Sequence, residues 1–293
     1  MPATFTIRDH TLTAPPLAAG LYPVATPIGN LGDITLRALE TLAAADVIAC
    51  EDTRTSGVLL KRYGIETQRL SYNEHNAAER GPDLLRRIVN GQSVALISDA
   101  GTPLVSDPGL RLVREGAAEG LTVIPLPGAS APLAALVGSG LGEGDFRFIG
   151  FLPPKQQARR SRLADLKADM STLLFFESPN RISETLADAA ALFDGSREAV
   201  VARELTKLHE TFHRGTLADL EQEFAAMDRV RGEIVLVIAP APPRQFDAFD
   251  TDDLLRNALA EMKTKDAAAH VASLTGETKQ SLYARALALK NDR

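Results

Sequence analysis

The segment Ser98–Gly109 (SDAGTPLVSDPG) concentrates residue types suited to holding a small polar molecule. Asp99 carries a carboxylate that accepts hydrogen bonds from an amine or a ribose hydroxyl. Gly101 lets the backbone approach a ligand closely. Pro103 and Pro108 stiffen the loop, and Asp107 suits the cap of a following helix. A turn ending in a helix cap is the plainer reading, but such connections need only about two to six residues. Two more small-residue loops accompany it, Ala25–Asp33 (ATPIGNLGD) and Leu126–Ala131 (LPGASA). The first is like a phosphate-binding glycine turn but lacks G-x-G-x-x-G. No G-x-x-x-x-G-K-[ST] occurs either, so a nicotinamide dehydrogenase or a P-loop nucleotidase finds no support.

Two further patterns carry potential chemistry. His209–His213 (HETFH) matches the H-E-x-x-H zinc pattern, which requires a helix. Thr211 and Phe212 favour a strand, and on a strand the two histidines would stand roughly 13 Å apart, too far for one ion. No metal site is expected. Basic residues gather in two places: Lys155, Arg159, Arg160 and Arg162 after Pro153-Pro154, and Arg54 with Lys61 and Arg62. A solvated helix face explains such clusters in most proteins. Their position after strands, near the small-residue loops, favours contacts with a polyanion's phosphates.

The elements that must position these loops alternate. Leu21–Ala25, Val47–Cys50, Ser93–Ser98 and Leu121–Leu126 have the short apolar character of buried strands. Helical patterns lie between them: a first helix capped by Asp33 and carrying Leu36, Leu39 and Leu42, then Ser56–Tyr63, Ala77–Val89 and Leu110–Ala118. Strand, helix, strand at this spacing predicts a parallel sheet with helices on both faces, and loops at its carboxyl edge that bind ligands. The glycine-rich stretch from Gly138 to Gly144 reads as a linker. Beyond it, Phe146–Phe151, Thr172–Phe176, Ala199–Leu205, Glu210–Arg214 and Glu233–Ala239 are strand-like, with helices capped by Asn180 and over Leu217–Met227. Consecutive strands without a helix between them predict a mixed sheet. The expected organisation is a loose polar tail over 1–18, α/β domains over 19–137 and 145–240, and a helical, helix-turn-helix-like appendage over 251–293. From Leu254 to Arg293 there are seven Lys/Arg against four Asp/Glu, so this tail is locally basic.

Composition bounds the function. The chain has 293 residues, 45% hydrophobic and 24% charged, with a net charge of -6. The acidic balance argues against a nonspecific polycationic binder but not against local basic patches. A single cysteine, Cys50, excludes an internal disulfide. The absence of Trp, with 4 Tyr and 11 Phe, disfavours a base-stacking platform. No signal peptide or membrane span is expected, because the N-terminus is charged and the uncharged window 120–142 is broken by prolines and glycines. A cytoplasmic protein is expected.

The order TPIGNLGD, EDTR, SDAGTPLVSDPG, LPGASA, GFLP, ESPNR, RELTKLHE and RGEIVLVI resembles the ribosomal RNA small subunit methyltransferase I proteins, a branch of the tetrapyrrole methylases. The likeness spans about Leu21 to Ala239. The wider family has GxGPGD where this chain has Thr26–Asn30, a departure that points to the RNA branch. The resemblance implies two α/β domains of the tetrapyrrole methylase type, a homodimer, and transfer of a methyl group from S-adenosyl-L-methionine to a cytidine 2′-hydroxyl in the decoding region of 16S rRNA. It implies cofactor contacts at Ile28, Asp99, Ala100, Gly101, Val105, Ser130, Ala131, Phe176, Leu205, Glu233 and Ile234.

Such a reaction needs alignment of the hydroxyl with the methyl group and removal of the hydroxyl proton by a base or by water. Glu51, Asp52 and His75 are the candidate bases, with helix or loop capping as the plainer role for each. Arg54, Arg80 and Arg181 join Lys155, Arg159 and Arg160 as candidate RNA contacts. Methylation of a corrin-type ring and non-enzymatic RNA binding are the alternatives; the basic loops and tail argue against the first.

Overall fold

A computed structural model of the chain describes residues 2–104, 109–142, 144–242 and 248–291. The chain divides into two compact units, Met1–Pro240 and Ala241–Arg293. The first unit contains both α/β halves.

Residues expected as a loose tail instead fold as a hairpin. Strands β1 (Thr4–Ile7) and β2 (His10–Thr13) pair antiparallel. Phe5 is the anchor, 1% exposed in the first core, and the Thr6 amide donates to Tyr63 O at 2.7 Å. The alternation is only a few residues long and mostly polar, which is why it reads as a tail.

The first half then runs β3 (Gly20–Pro23), α1 (Leu36–Ala44), β4 (Val47–Cys50), α2 (Thr53–Arg62), β5 (Arg69–Ser71), α3 (Ala77–Val89), β6 (Ser93–Ile97), α4 (Leu110–Ala118) and α5 (Ala131–Ser139). The sheet order is β3-β6-β4-β5, all parallel. Alternate residues feed opposite cores: Ile48, Cys50, Ala95 and Ile97 face α1 residues such as Leu39, while Val47, Ala49, Val94 and Leu96 face Leu84 and Ile88 of α3. Both faces are therefore covered, which explains the uninterrupted apolar strands. The expected strand at 121–126 reduces to isolated parallel bridges, Leu21 with Val123 and Val24 with Leu126. The short, partly charged β5 is an edge strand that the hydrophobic pattern does not announce. Thr35, not Asp33, caps α1, its side chain accepting from the Ala38 amide at 3.1 Å.

The second half runs β7 (Phe146–Phe151), α6 (Gln156–Leu166), β8 (Thr172–Glu177), α7 (Ile182–Phe193), β9 (Glu198–Arg203), β10 (Thr211–Thr216), α8 (Leu217–Ala225) and β11 (Ile234–Ile238). Its sheet, ordered β10-β9-β11-β8-β7, is mixed as expected, with β7 and β8 parallel and the other pairs antiparallel. One face packs on α6, α7 and α8 through Leu173, Phe175, Val201 and Leu236. The other packs Leu174, Val200 and Val235 against Ala135 and Leu136 of α5 and against Ile28 of the first loop. That shared core joins the two halves. Asn180 does not cap α7; its own amide donates to Ser178 Oγ at 3.2 Å.

The second unit holds α9 (Ala248–Glu261), α10 (Thr264–Thr275) and α11 (Lys279–Asn291) around Leu255, Val271 and Leu282. Gly276, at φ +74, makes the turn from α10 towards α11.

Candidate functional site

Three backbone segments are stitched together at the carboxyl edge of the parallel sheet. Thr26 and Gly101 exchange both amide hydrogen bonds, at 2.9 and 3.0 Å. Thr102 Oγ1 donates to Ala129 O at 3.2 Å, tying the second loop to the third. Gly101 adopts φ +77, a left-handed conformation that a side chain there would strain. The first loop also reaches the second half: the Asn30 amide donates to Thr206 Oγ1 at 3.0 Å. A Cβ at Gly29 would fall 2.5 Å from Lys207 Cγ and 3.1 Å from Leu205 O, so only glycine fits under that loop.

These loops enclose a cavity of about 430 Å³, within the range of small-molecule sites. Ile28, Ala100, Gly101, Ser130 and Ala131 line it from the first half, and Phe176, Leu205, Glu233 and Ile234 from the second. Nine of the expected cofactor contacts thus meet at one cavity. Asp99 does not line it; its carboxylate accepts from the Asp52 amide at 3.2 Å. Val105, with Asp107 and Pro108, lies outside the described residues. The structure adds Phe151, Glu177, Ser178, Pro179 and Gly232 to the wall. Their signal lay in the GFLP, ESPNR and RGEIVLVI motifs. Phe151 and Phe176 stand with ring centroids 5.5 Å apart, offering apolar ring surface to a flat ligand.

Polar groups at the wall are few. Glu177 is buried, accepting from Thr185 Oγ1 and the Ser178 amide, each at 2.7 Å. Glu204 and Lys207 bind each other at 2.9 Å, and Lys207 reaches Glu233 at 3.0 Å. A hydrogen bond from the Glu233 amide, aided by Lys207, holds the Glu204 carboxyl below its ordinary range. Burial works against the Lys207 charge, but the bonds to Glu204 and Glu233 outweigh it and hold its pKa above the ordinary value. Ser130 occupies the N-cap position of α5 with no side-chain cap bond, leaving its hydroxyl available at a helix N-terminus that favours anionic groups.

None of the candidate bases is in the wall of this cavity. Asp52 caps α2 and grips Arg54, which hydrogen-bonds it and depresses its pKa. Glu51 sits on the same loop and His75 is exposed on the loop after β5.

The basic cluster after Pro153-Pro154 divides. Arg159 is 1% exposed, with Nε 2.7 Å from Asp188 and Nη2 3.1 Å from Glu184. Residues 159, 163 and 166 share the buried face of α6, so Arg159 points into the core and not towards RNA. Arg181 is also committed, donating to Leu152 O at 2.9 Å and Pro153 O at 3.1 Å and lying 3.5 Å from Glu177. It latches the GFLPP and ESPNR loops together. Arg160 pairs with Asp188 at 3.1 Å while remaining partly exposed. Lys155, Arg80 and Arg54 are exposed. In the second unit Arg285 pairs with Asp252 at 2.6 Å and Arg256 with Asp253 at 2.9 Å. Among the described residues of this unit both arginines are thus paired, and its other Lys/Arg side chains are the exposed Lys263, Lys265, Lys279 and Lys290. The H-E-x-x-H match is no helix: Thr211–Thr216 is strand β10, and His213 Nδ1 pairs with Glu223 at 2.6 Å.

Comparison with known proteins agrees with this geometry. Residues 20–221 match the family Tetrapyrrole (Corrin/Porphyrin) Methylases. Residues 247–290 match the RsmI C-terminal HTH domain. Proteins named ribosomal RNA small subunit methyltransferase I from Mesorhizobium japonicum and Pseudomonas aeruginosa are 55% and 46% identical. They are matched over 97% and 92% of this chain, and over 97% of each relative. Among solved structures, the methyltransferase CobJ superposes with TM-score 0.58 at 19% identity, over 78% of this chain and 97% of that one. A Thermus thermophilus uroporphyrin-III C-methyl transferase complexed with S-adenyl homocysteine gives TM-score 0.54 at 19% identity, over 75% and 97%. The structural likenesses speak for the fold alone, but the sequence matches run nearly end to end, and the chain belongs to the tetrapyrrole methylases, in the branch of the ribosomal RNA small subunit methyltransferase I proteins.

Proposed function

We propose that the chain methylates 16S rRNA in the small ribosomal subunit, using S-adenosyl-L-methionine to modify the 2′-hydroxyl of a cytidine in the decoding region. The observation that carries this reading is the small-residue cavity built by loops from both sheets, in a chain 55% identical to a named rRNA methyltransferase over 97% of its length.

The cavity fits the cofactor. Gly101 lines it in a left-handed conformation that leaves its own backbone bare of a side chain, Ser130 offers a hydroxyl at the start of α5, and Phe151 and Phe176 present ring surface. S-adenosylmethionine supplies a methyl group already activated by its sulfonium. Ile28, Ala100, Gly101, Ser130, Ala131, Phe176, Leu205, Glu233 and Ile234 would hold the cofactor. The remaining work is alignment of the ribose hydroxyl and acceptance of its proton. Arg54 holds the Asp52 pKa down, which weakens Asp52 as a proton acceptor and leaves Glu51 and His75 as the other candidates. Lys155, Arg160, Arg80 and Arg54 would orient the RNA through its phosphates. The protein would work as a homodimer in the cytoplasm; light scattering tests the first point. Among the described residues no helix is long and apolar enough to cross a membrane.

The test is single-turnover methylation of purified small subunits, with the modified nucleotide mapped. A 2′-O-methylcytidine in the decoding region is the expected product. No methylation of intact subunits would sink the proposal.

A further inference from the structure

Of the loops that follow the four paired strands of the parallel sheet, those after β3 and β6 line the cavity, together with the 126–131 loop. The loops after β4 (Glu51–Asp52) and β5 (Asn73–Asn76) contribute nothing to its wall. They are nevertheless joined into one hydrogen-bonded unit that ends at it.

Asn73 is the hub of this unit. Its Oδ1 accepts from the amides of His75 at 3.1 Å and Asn76 at 3.3 Å. Its Nδ2 donates to Ser71 Oγ at 3.3 Å, and its amide donates to Asn76 Oδ1 at 2.8 Å. Ser71 Oγ in turn donates to Glu51 O at 3.5 Å, and the Tyr72 amide to Cys50 O at 2.8 Å. From the β4 loop the Asp52 amide donates to Asp99, and Asp99 directly precedes Ala100 and Gly101 of the cavity wall. The path from His75 to the cavity is continuous.

One local rule is broken to build it. Asn76 occupies the N-cap of α3, where asparagine ordinarily accepts from a helix amide. Its side chain makes no cap bond. Instead it clasps the Asn73 amide and donates to Ser71 O at 3.1 Å. A good helix cap has been given up to fix a loop, and such local conflicts mark functional sites. The loop so fixed presents Glu74 and His75 to solvent.

Building on the rRNA-methylation reading above, we propose that Asn73 is a positioning residue for the target ribose. Through Ser71 it locks the β5 loop to the β4 loop, holding both as a rigid ledge against the cofactor cavity, where the substrate nucleotide is aligned. The ledge acts on substrate geometry and not on cofactor binding, because none of its members lines the cavity.

The test compares Ser71→Ala, Asn73→Ala and Ser71→Thr with the wild type, measuring kcat and KM on small subunits, cofactor Kd by calorimetry, and Tm. Ser71→Ala and Asn73→Ala should each lower kcat by about ten-fold, a loss expected of misaligned reactants. The expected cofactor Kd stays within about two-fold and the double variant is no worse than either single one. Ser71→Thr keeps the hydroxyl and should restore kcat. Unchanged kcat in both alanine variants would overturn the inference, as would cofactor affinity or Tm falling in step with kcat. Wild-type protein that binds cofactor but leaves subunits unmethylated defeats the functional reading, and this inference with it. Active wild type with indifferent variants defeats the inference alone.

Discussion

Replacing Arg159 with methionine separates two roles that lead to opposite measurements. Its guanidinium is 1% exposed and bridges Asp188, itself 2% exposed, to Glu184. Burial alone would lower the Arg159 pKa, but the bonds and charges of Asp188 and Glu184 outweigh it and hold the pKa above the ordinary value. Methionine fills much of the volume but leaves Asp188 buried with less compensation. Breaking a buried pair from one side costs about 3–5 kcal/mol. The lower end applies here, because Arg160 at 3.1 Å and Gln156 at 3.4 Å still reach Asp188. Glu184 is largely exposed, so that arm adds little. A loss of about 3 kcal/mol lowers Tm by roughly 6–12 °C for a unit of this size. Adding Asp188→Leu should recover much of it, since a matched apolar pair removes the stranded charge. Calorimetric melting and urea titration measure the stability. RNA binding across a salt series supplies the control, because removing one cation that touches a single-strand phosphate would reduce the slope of log K on log salt by about 0.7. An unshifted Tm with a reduced slope would refute the burial argument and return Arg159 to the RNA surface.

Three other outcomes follow from the same structure. Gly101→Val should abolish cofactor binding by calorimetry, because φ +77 strains any β-branched residue and the added Cβ meets Ile28 Cγ2 at 3.3 Å; retained affinity would place the cofactor elsewhere. Glu204 has a folded pKa below its unfolded one, so its stabilising contribution is present above the unfolded value and is lost as pH falls through about 4 and lower. Urea midpoints should drop over that acid range, less steeply in Glu204→Gln, and identical slopes would remove Glu204 from the account. Ending the chain at Pro240 leaves one compact unit. Cofactor affinity should hold within about two-fold while subunit affinity falls by about ten-fold, as expected on losing one of two linked binding modules; equal losses would make the helical unit a structural cap.

Much of the fold was legible in the residues themselves. The apolar runs at Val47–Cys50 and Ser93–Ile97 required burial on both faces, and the spacing between them allowed only parallel crossovers. The loops at 25–33, 98–109 and 126–131 stood out because small and kinked residues recur where strands end, and eight ordered motifs pointed to the family. Local pattern failed where it was short or ambiguous. The hairpin at 4–13 depends on Phe5 finding a core built by residues far along the chain, and β5 exists only because β4 offers it an edge. The basic clusters misled for a related reason. A count of arginines cannot tell a phosphate ligand from an internal clamp; that depends on which face of α6 meets Asp188 of α7, and on Leu152 and Pro153 offering carbonyls to Arg181. The sequence by itself determined the family, the alternation of the main strands and helices and the loops that carry chemistry, because these follow from local periodicity and residue type. Only the tertiary structure decided which charged side chains face the site and which hold the walls together, because burial and pairing depend on contacts between elements distant in sequence.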